Sequence, residues 1–383
     1  MPRHYLDHAS TSPPRPEVVD AMVAALRGEH GHELAAGDPG RIHAEGMQAR
    51  AVIEEAREEI AAFFGARSRE VVFTSGATES IATATWGAAE RGTEMVVPAV
   101  EHSAVRESVG ALVTAGTHRS IAIGVDRLGH VDSNELIDRL GPDTALVHLQ
   151  WANHEVGTRH ALEPVIAACR ERSVLLHVDA AAGAGHEPIA FDDLGIDLLS
   201  VSAHKFGGPP GVGALLVRRG LRLRQLLRGG DQERARRAGF ENVPAIAGFA
   251  AACRVLSTDD RLAREATVNR QLTDRVLAAA PDLDGVHVYG DPLGRVPHLV
   301  CLGVEGIEPQ AVLLGLDQAG IAAHSGSACS SEALEPSPVL EAMGVDAHRS
   351  LRISTGWNTT EADIDALLEA LPPIIARLRA LGS

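Results

Sequence analysis

Up to about residue 255, short apolar runs alternate with longer stretches in which apolar residues recur at helical spacing. "EVVFTSGATES", "EMVVPAVEHSAV", "TALVHLQWANHEVG", "VLLHVDAAAG", "DLLSVSAHKFGG" and "GVGALLVRR" each read as a strand, and most then run into a turn of small residues. Between several of them lie helical stretches such as "SNELIDRL" and "LEPVIAACRER". Strands apolar on both faces and interleaved with helices predict an α/β domain with a mostly parallel central sheet and helices on both faces. In such sheets ligands bind beyond the carboxyl ends of the strands, where nearly every polar cluster of this chain falls. After about residue 255 a long polar helix ("DDRLAREATVNRQLTDRVLAAA") leads to short strands "GVHVYG" and "HLVCLGV". The helices "PQAVLLGLDQAG" and "EADIDALLEALPPIIARLRAL" follow, which predicts a smaller α+β domain. The expected division is a large domain over 14–255 and a small C-terminal domain over 256–383, with segment 1–13 packing on the latter.

Composition narrows the function classes. The 383 residues are 45% hydrophobic, enough for a large core, yet contain no apolar run long enough to span a membrane. With no basic-then-apolar leader, the expectation is a soluble, cytoplasmic protein without membrane association. The net charge of −16 argues against direct nucleic-acid binding, because a phosphate backbone would be repelled. Cys169, Cys253, Cys301 and Cys329 are far apart and form no C-x-x-C pair, a pattern of reduced thiols without a disulfide framework or a metal site.

Lys205 is the sole lysine, so 34 of the 35 basic residues are arginine. A primary amine can lose its proton and attack a carbonyl, which guanidinium cannot do. Lys205 follows Ser202 and His204 at a strand end in "SVSAHKFGG", before a Gly-Gly-Pro-Pro-Gly turn. In "FTSGATES", the N–H groups of Gly76, Ala77 and Thr78 open a helix and can hold a phosphate, although any tight strand-to-helix turn looks similar. Asp179 ends the apolar strand "HVDA", either as a helix N-cap or as partner of a buried cation. His102 in "EHSAV" is by itself compatible with a purely structural role. Together these residues supply what pyridoxal 5'-phosphate requires. Lys205 offers the imine-forming amine, Asp179 a carboxylate for the pyridinium nitrogen, His102 a flat group over the ring, and Thr78, Ser202 and His204 a phosphate cup.

These motifs, with "YLDHASTSPPRPEVVDAM", "QERARRAG", "SGSACSSEALEPSPVLEAMG" and "LRISTGWNTTEADID", make the chain resemble the cysteine desulfurases over nearly its whole length. These are class V members of the fold-type I pyridoxal-phosphate enzymes, and the match is to the group with the longer cysteine-bearing loop. The resemblance implies a homodimer with its active site near the subunit interface. It also implies that Cys329 takes sulfur from L-cysteine as a persulfide, releases L-alanine, and passes the sulfur to an acceptor protein. Arg352 then matches the residue that pairs with the substrate carboxylate, and His102 also moves protons. Three positions depart from the family pattern: His154 stands for an asparagine and Ala182 for a glutamine near the cofactor's phenolic oxygen. Phe240 stands for a threonine that binds phosphate from the neighbouring subunit. A selenocysteine lyase or other β-lyase on the same scaffold, and a partner-binding homologue without turnover, are the competing readings.

Overall fold

The computed structural model describes residues 3–27, 37–326 and 336–382, so Cys329 lies outside the described residues. After β1 (His4–Tyr5) come helices α1 (Pro16–Arg27) and α2 (Ala44–Phe63), then β2 (Val71–Thr74), α3 (Ala77–Ala88), β3 (Glu94–Pro98) and α4 (Ser103–Thr114). The chain continues through β4 (Arg119–Ile123), β5 (Thr144–Gln150), β6 (Leu175–Asp179), β7 (Leu198–Ser202) and β8 (Gly213–Val217). Strands β2 to β8 form one seven-stranded sheet in the order β2-β8-β7-β6-β5-β3-β4. Only β8 runs against its neighbours, so the sheet is mostly parallel.

Alternation along each strand explains why the central ones look apolar throughout. Phe73, Val147, Val178 and Val201 face one core, shared with α2 and the helix Val243–Ser257. Val72, Leu146, Leu175 and Leu198 face the other, shared with α3 and α4. Both faces are covered, so period-two alternation disappears from the hydropathy pattern. The edge strand β4 was not legible in the sequence: "RSIAI" is largely exposed and lacks the continuous apolar run of its neighbours.

A second sheet contains β9 (Val286–Tyr289), β10 (Leu299–Val304) and β12 (Ser350–Ser354), all antiparallel. It packs with the helices Arg261–Ala279, Pro309–Gln318 and Glu361–Gly382 around a separate apolar cluster. Strand β1 pairs with β11 (Ile321–Ala322) and Leu6 enters that cluster, so the first residues join the C-terminal half. Among the described residues no helix is long and apolar enough to cross a membrane.

Candidate active site

The carboxyl ends of β2, β3, β5, β6 and β7 converge on a cavity of about 370 Å³, a volume suited to a small-molecule site. At the first of these ends the chain turns through Gly76 into α3. Gly76 has φ +151°, a backbone conformation that side chains rarely adopt, and no side chain caps the helix. The N–H groups of its first turn, at Ala77 and Thr78, are therefore left for a ligand, and the helix dipole makes that ligand an anion. Strand β7 ends at Ser202, and the short turn Ala203–Phe206 carries His204 and Lys205 to the same cavity wall. The Lys205 ammonium donates to the carbonyls of Ala9 (2.6 Å) and Ser10 (3.1 Å), so the N-terminal segment closes over it.

Asp179 ends β6, and its Oδ1 accepts from Ala181 N–H at 2.9 Å. No helix follows, so the N-cap alternative read from the sequence does not hold; the carboxylate braces a turn and lines the cavity. Burial raises its pKa to about 6, opposed by the Ala181 bond and by Lys205. His102 caps α4 by accepting Ala104 N–H at Nδ1 (3.1 Å). Burial first, then His154, Lys205 and Arg106, hold His102 down to about 3, so the ring is neutral. With Nδ1 occupied as an acceptor, its proton belongs on Nε2. His102 is thus a donor at Nε2, and accepting a proton requires releasing its cap.

His154 meets His102 edge to face with ring centroids 4.8 Å apart. Its Nδ1 is buried without a partner, and burial with the Arg352 charge lowers it to about 3. Arg352, on β12, does not line the cavity. It is buried beside it, donating to His154 O (3.0 Å), Asp7 Oδ1 (3.1 Å) and Ser10 Oγ (2.7 Å), with its Nε unpartnered. Ala182 lines the cavity without a side-chain donor, and Phe240 is 62% exposed outside it. The cavity therefore gathers Gly76, Ala77, Thr78, His102, His154, Asp179, Ser202, His204 and Lys205, with Arg352 one residue layer behind.

The sequence reading passed over His8, Gln150, His186 and His298, which also line the cavity. Gln150 had a legible signal: like Asp179 it is a polar residue closing an apolar strand, and the two are register partners. His186 and His298 stack with centroids 3.5 Å apart, but they come from segments far apart in the chain that no local pattern links. Below the cavity, Ser200, His177, His148 and Thr85 form a buried chain across β7, β6, β5 and α3. Thr85 donates to Ile81 O, which orients the series. His148 Nε2–H gives to Thr85, His177 Nδ1–H to His148, and the Ser200 hydroxyl to His177.

Burial chiefly depresses nine of the 18 histidines. His102, His148 and His154 fall to about 3, His8, His160, His186 and His204 to about 4, and burial holds His177 and His298 well below the ordinary imidazole range. Folded rings stay neutral where unfolded ones take up protons, so their stabilisation is complete above about 6.5 and is lost as pH falls toward 4. Asp179 (about 6), Glu155 (about 7) and Glu101 (about 8) act oppositely, stabilising most at acid pH. Nine groups outweigh three. The cofactor-free protein is expected to melt more than about 10 °C lower at pH 5 than at pH 7. An equal or higher midpoint at pH 5 by calorimetry would contradict this account of the buried rings.

The site's donor set fits pyridoxal phosphate on the structure's own terms. It holds an amine, a buried carboxylate, an uncapped helix N-terminus with hydroxyl and imidazole groups beside it, and an orphaned ring nitrogen at His154. The aminotransferase class-V family matches residues 4–367. The cysteine desulfurase IscS of Dictyoglomus turgidum is 39% identical over 99% of this chain and 96% of its own. A solved NifS-like protein superposes with a TM-score of 0.90 at 32% identity, covering 98% of this chain and 100% of its own. A structure titled SspA in complex with cysteine superposes at 0.80 with 27% identity, over 92% of this chain and 98% of its own. On its fold, its cavity and these full-length matches, the chain belongs to the cysteine desulfurases of the aminotransferase class-V family.

Proposed function

We propose that this enzyme removes sulfur from L-cysteine by dividing the work between a pyridoxal-phosphate cavity and Cys329. The observation that carries the reading is the meeting of the chain's sole lysine with Asp179 and the α3 N-terminus in one cavity. When bound, the cofactor supplies an electron-withdrawing ring that lets bonds at the substrate's α-carbon break.

The protein's own groups do the rest. Lys205 supplies the attacking amine, whose N–H groups donate to the Ala9 and Ser10 carbonyls while it waits. The α3 N-terminus, Ser202 and His204 would hold the phosphate. Asp179 would pair with the ring nitrogen, and its buried position would strengthen their attraction. His102 would stack on the ring and present a proton at Nε2. His154 would offer an N–H to the phenolic oxygen, a bond that Ala182 cannot share. Arg352 takes the substrate carboxylate with its unpartnered Nε edge, once Asp7 and Ser10 yield part of their hold. Cys329 receives the sulfur and presents it to an acceptor protein. In the homodimer that the family resemblance implies, the exposed Phe240 would stand where a threonine commonly reaches the neighbouring subunit's phosphate.

The test is turnover with a matched variant. Native protein loaded with pyridoxal phosphate and supplied with cysteine and a thiol reductant should yield alanine and sulfide in equal amounts. Asp179→Asn should retain the cofactor yet turn over about 10²-fold more slowly, because the ring nitrogen loses its charged partner. Cofactor bound with no alanine formed, or a near-native rate for the variant, would overturn the reading.

A further inference from the structure

We propose that Glu101 is a positioning neighbour of Asp179: a buried carboxylic acid that stays neutral beside the Asp179 carboxylate, so that the two together carry one negative charge. The proposal rests on the reading of Asp179 as the group facing the cofactor's ring nitrogen. Its own support is geometric. Glu101 follows β3 immediately before His102 and is completely buried. Its Oε1 accepts from Gln150 N–H at 2.6 Å, while the Gln150 side chain donates to Val100 O at 2.6 Å. This two-way clamp fixes Glu101 on the end of β5, and Gln150 is the register partner of Asp179 on β6.

The second oxygen, Oε2, is buried with no hydrogen-bond donor, and among the described residues Glu101 forms no ion pair. A carboxylate in that position would be an uncompensated buried charge, which costs far more than keeping the proton. The charged groups that face it are Asp179 from β6, which favours the protonated form, and Arg106 from α4, which opposes it more weakly than burial and Asp179 favour it. With the proton on Oε2, the orphaned oxygen no longer carries charge, and Asp179, held by Ala181 N–H, keeps the single charge of the pair. A pair bearing one negative charge also balances one protonated ring nitrogen; two ionised carboxyls would not.

Infrared spectroscopy of the cofactor-free protein tests this independently of catalysis. At pH 7 the native protein is expected to show a buried carboxylic-acid C=O band that fades as pH rises through about 8. The Glu101→Gln difference spectrum separates it from Glu155, because only the Glu101 band should vanish. In the loaded protein, Glu101→Gln should also remove an alkaline change in cofactor absorbance centred near the same pH. Absence of the acid band at pH 7, or its persistence in Glu101→Gln, would overturn the proposal, as would an unchanged alkaline transition in the variant. Failure of the native protein to load cofactor would instead overturn the functional reading and leave the infrared result to decide Glu101.

Discussion

Lys205→Arg is expected to lose alanine formation by about 10³-fold or more, in a protein that already uses 34 arginines as its other basic residues. The substitution keeps the positive charge and can keep donors near the Ala9 and Ser10 carbonyls, so fold and cavity electrostatics change little. What it removes is the one side chain that can shed a proton and bond covalently to a carbonyl carbon. Electrostatic and covalent roles therefore separate in a single variant. Borohydride reduction of the native protein, followed by peptide mapping, should fix a pyridoxyl group on the peptide containing Lys205. In Lys205→Arg no peptide should carry it. A pyridoxyl group on another peptide, or substantial turnover by the arginine variant, would show that Lys205 serves only as a cation.

Cys329→Ala should be as damaging to the overall reaction while sparing its first half. The variant is expected to load cofactor and to change absorbance on adding cysteine, yet to form alanine and sulfide about 10³-fold more slowly. The other thiols offer no substitute. Cys169, Cys253 and Cys301 are buried, and burial pushes Cys169 up to about 12 and the other two well above the ordinary thiol range. A thiol that cannot ionise is a poor nucleophile. Normal turnover by Cys329→Ala would instead identify a plain β-lyase.

Much of this site was legible because the fold concentrates it. In a parallel sheet every strand ends at the same edge, so the polar residues that close "FTSG", "HVDA" and "SVSAHK" had to converge once the strands were recognised. Asp179 was found this way, and Lys205 by this position together with its being the sole lysine. Glu101 was not, because a glutamate before a histidine gives no local sign that it is buried without a counterion. His8 and His298 reach the cavity from the N-terminal segment and from the approach to β10, contacts set by the packing of the two halves and not by any periodicity. The tautomer of His102 was equally hidden, since it depends on a cap geometry that appears only when α4 begins at Ser103.

The division of labour between the cavity and Cys329 is tested most directly by mapping where the sulfur goes. Native protein treated with one equivalent of L-cysteine, without reductant, should carry one extra sulfur atom on the peptide containing Cys329 and release alanine in matching amount. The peptides containing Cys169, Cys253 and Cys301 should remain unmodified. Alanine formed with no sulfur retained on Cys329, or sulfur retained on one of the three buried cysteines, would contradict the transfer mechanism.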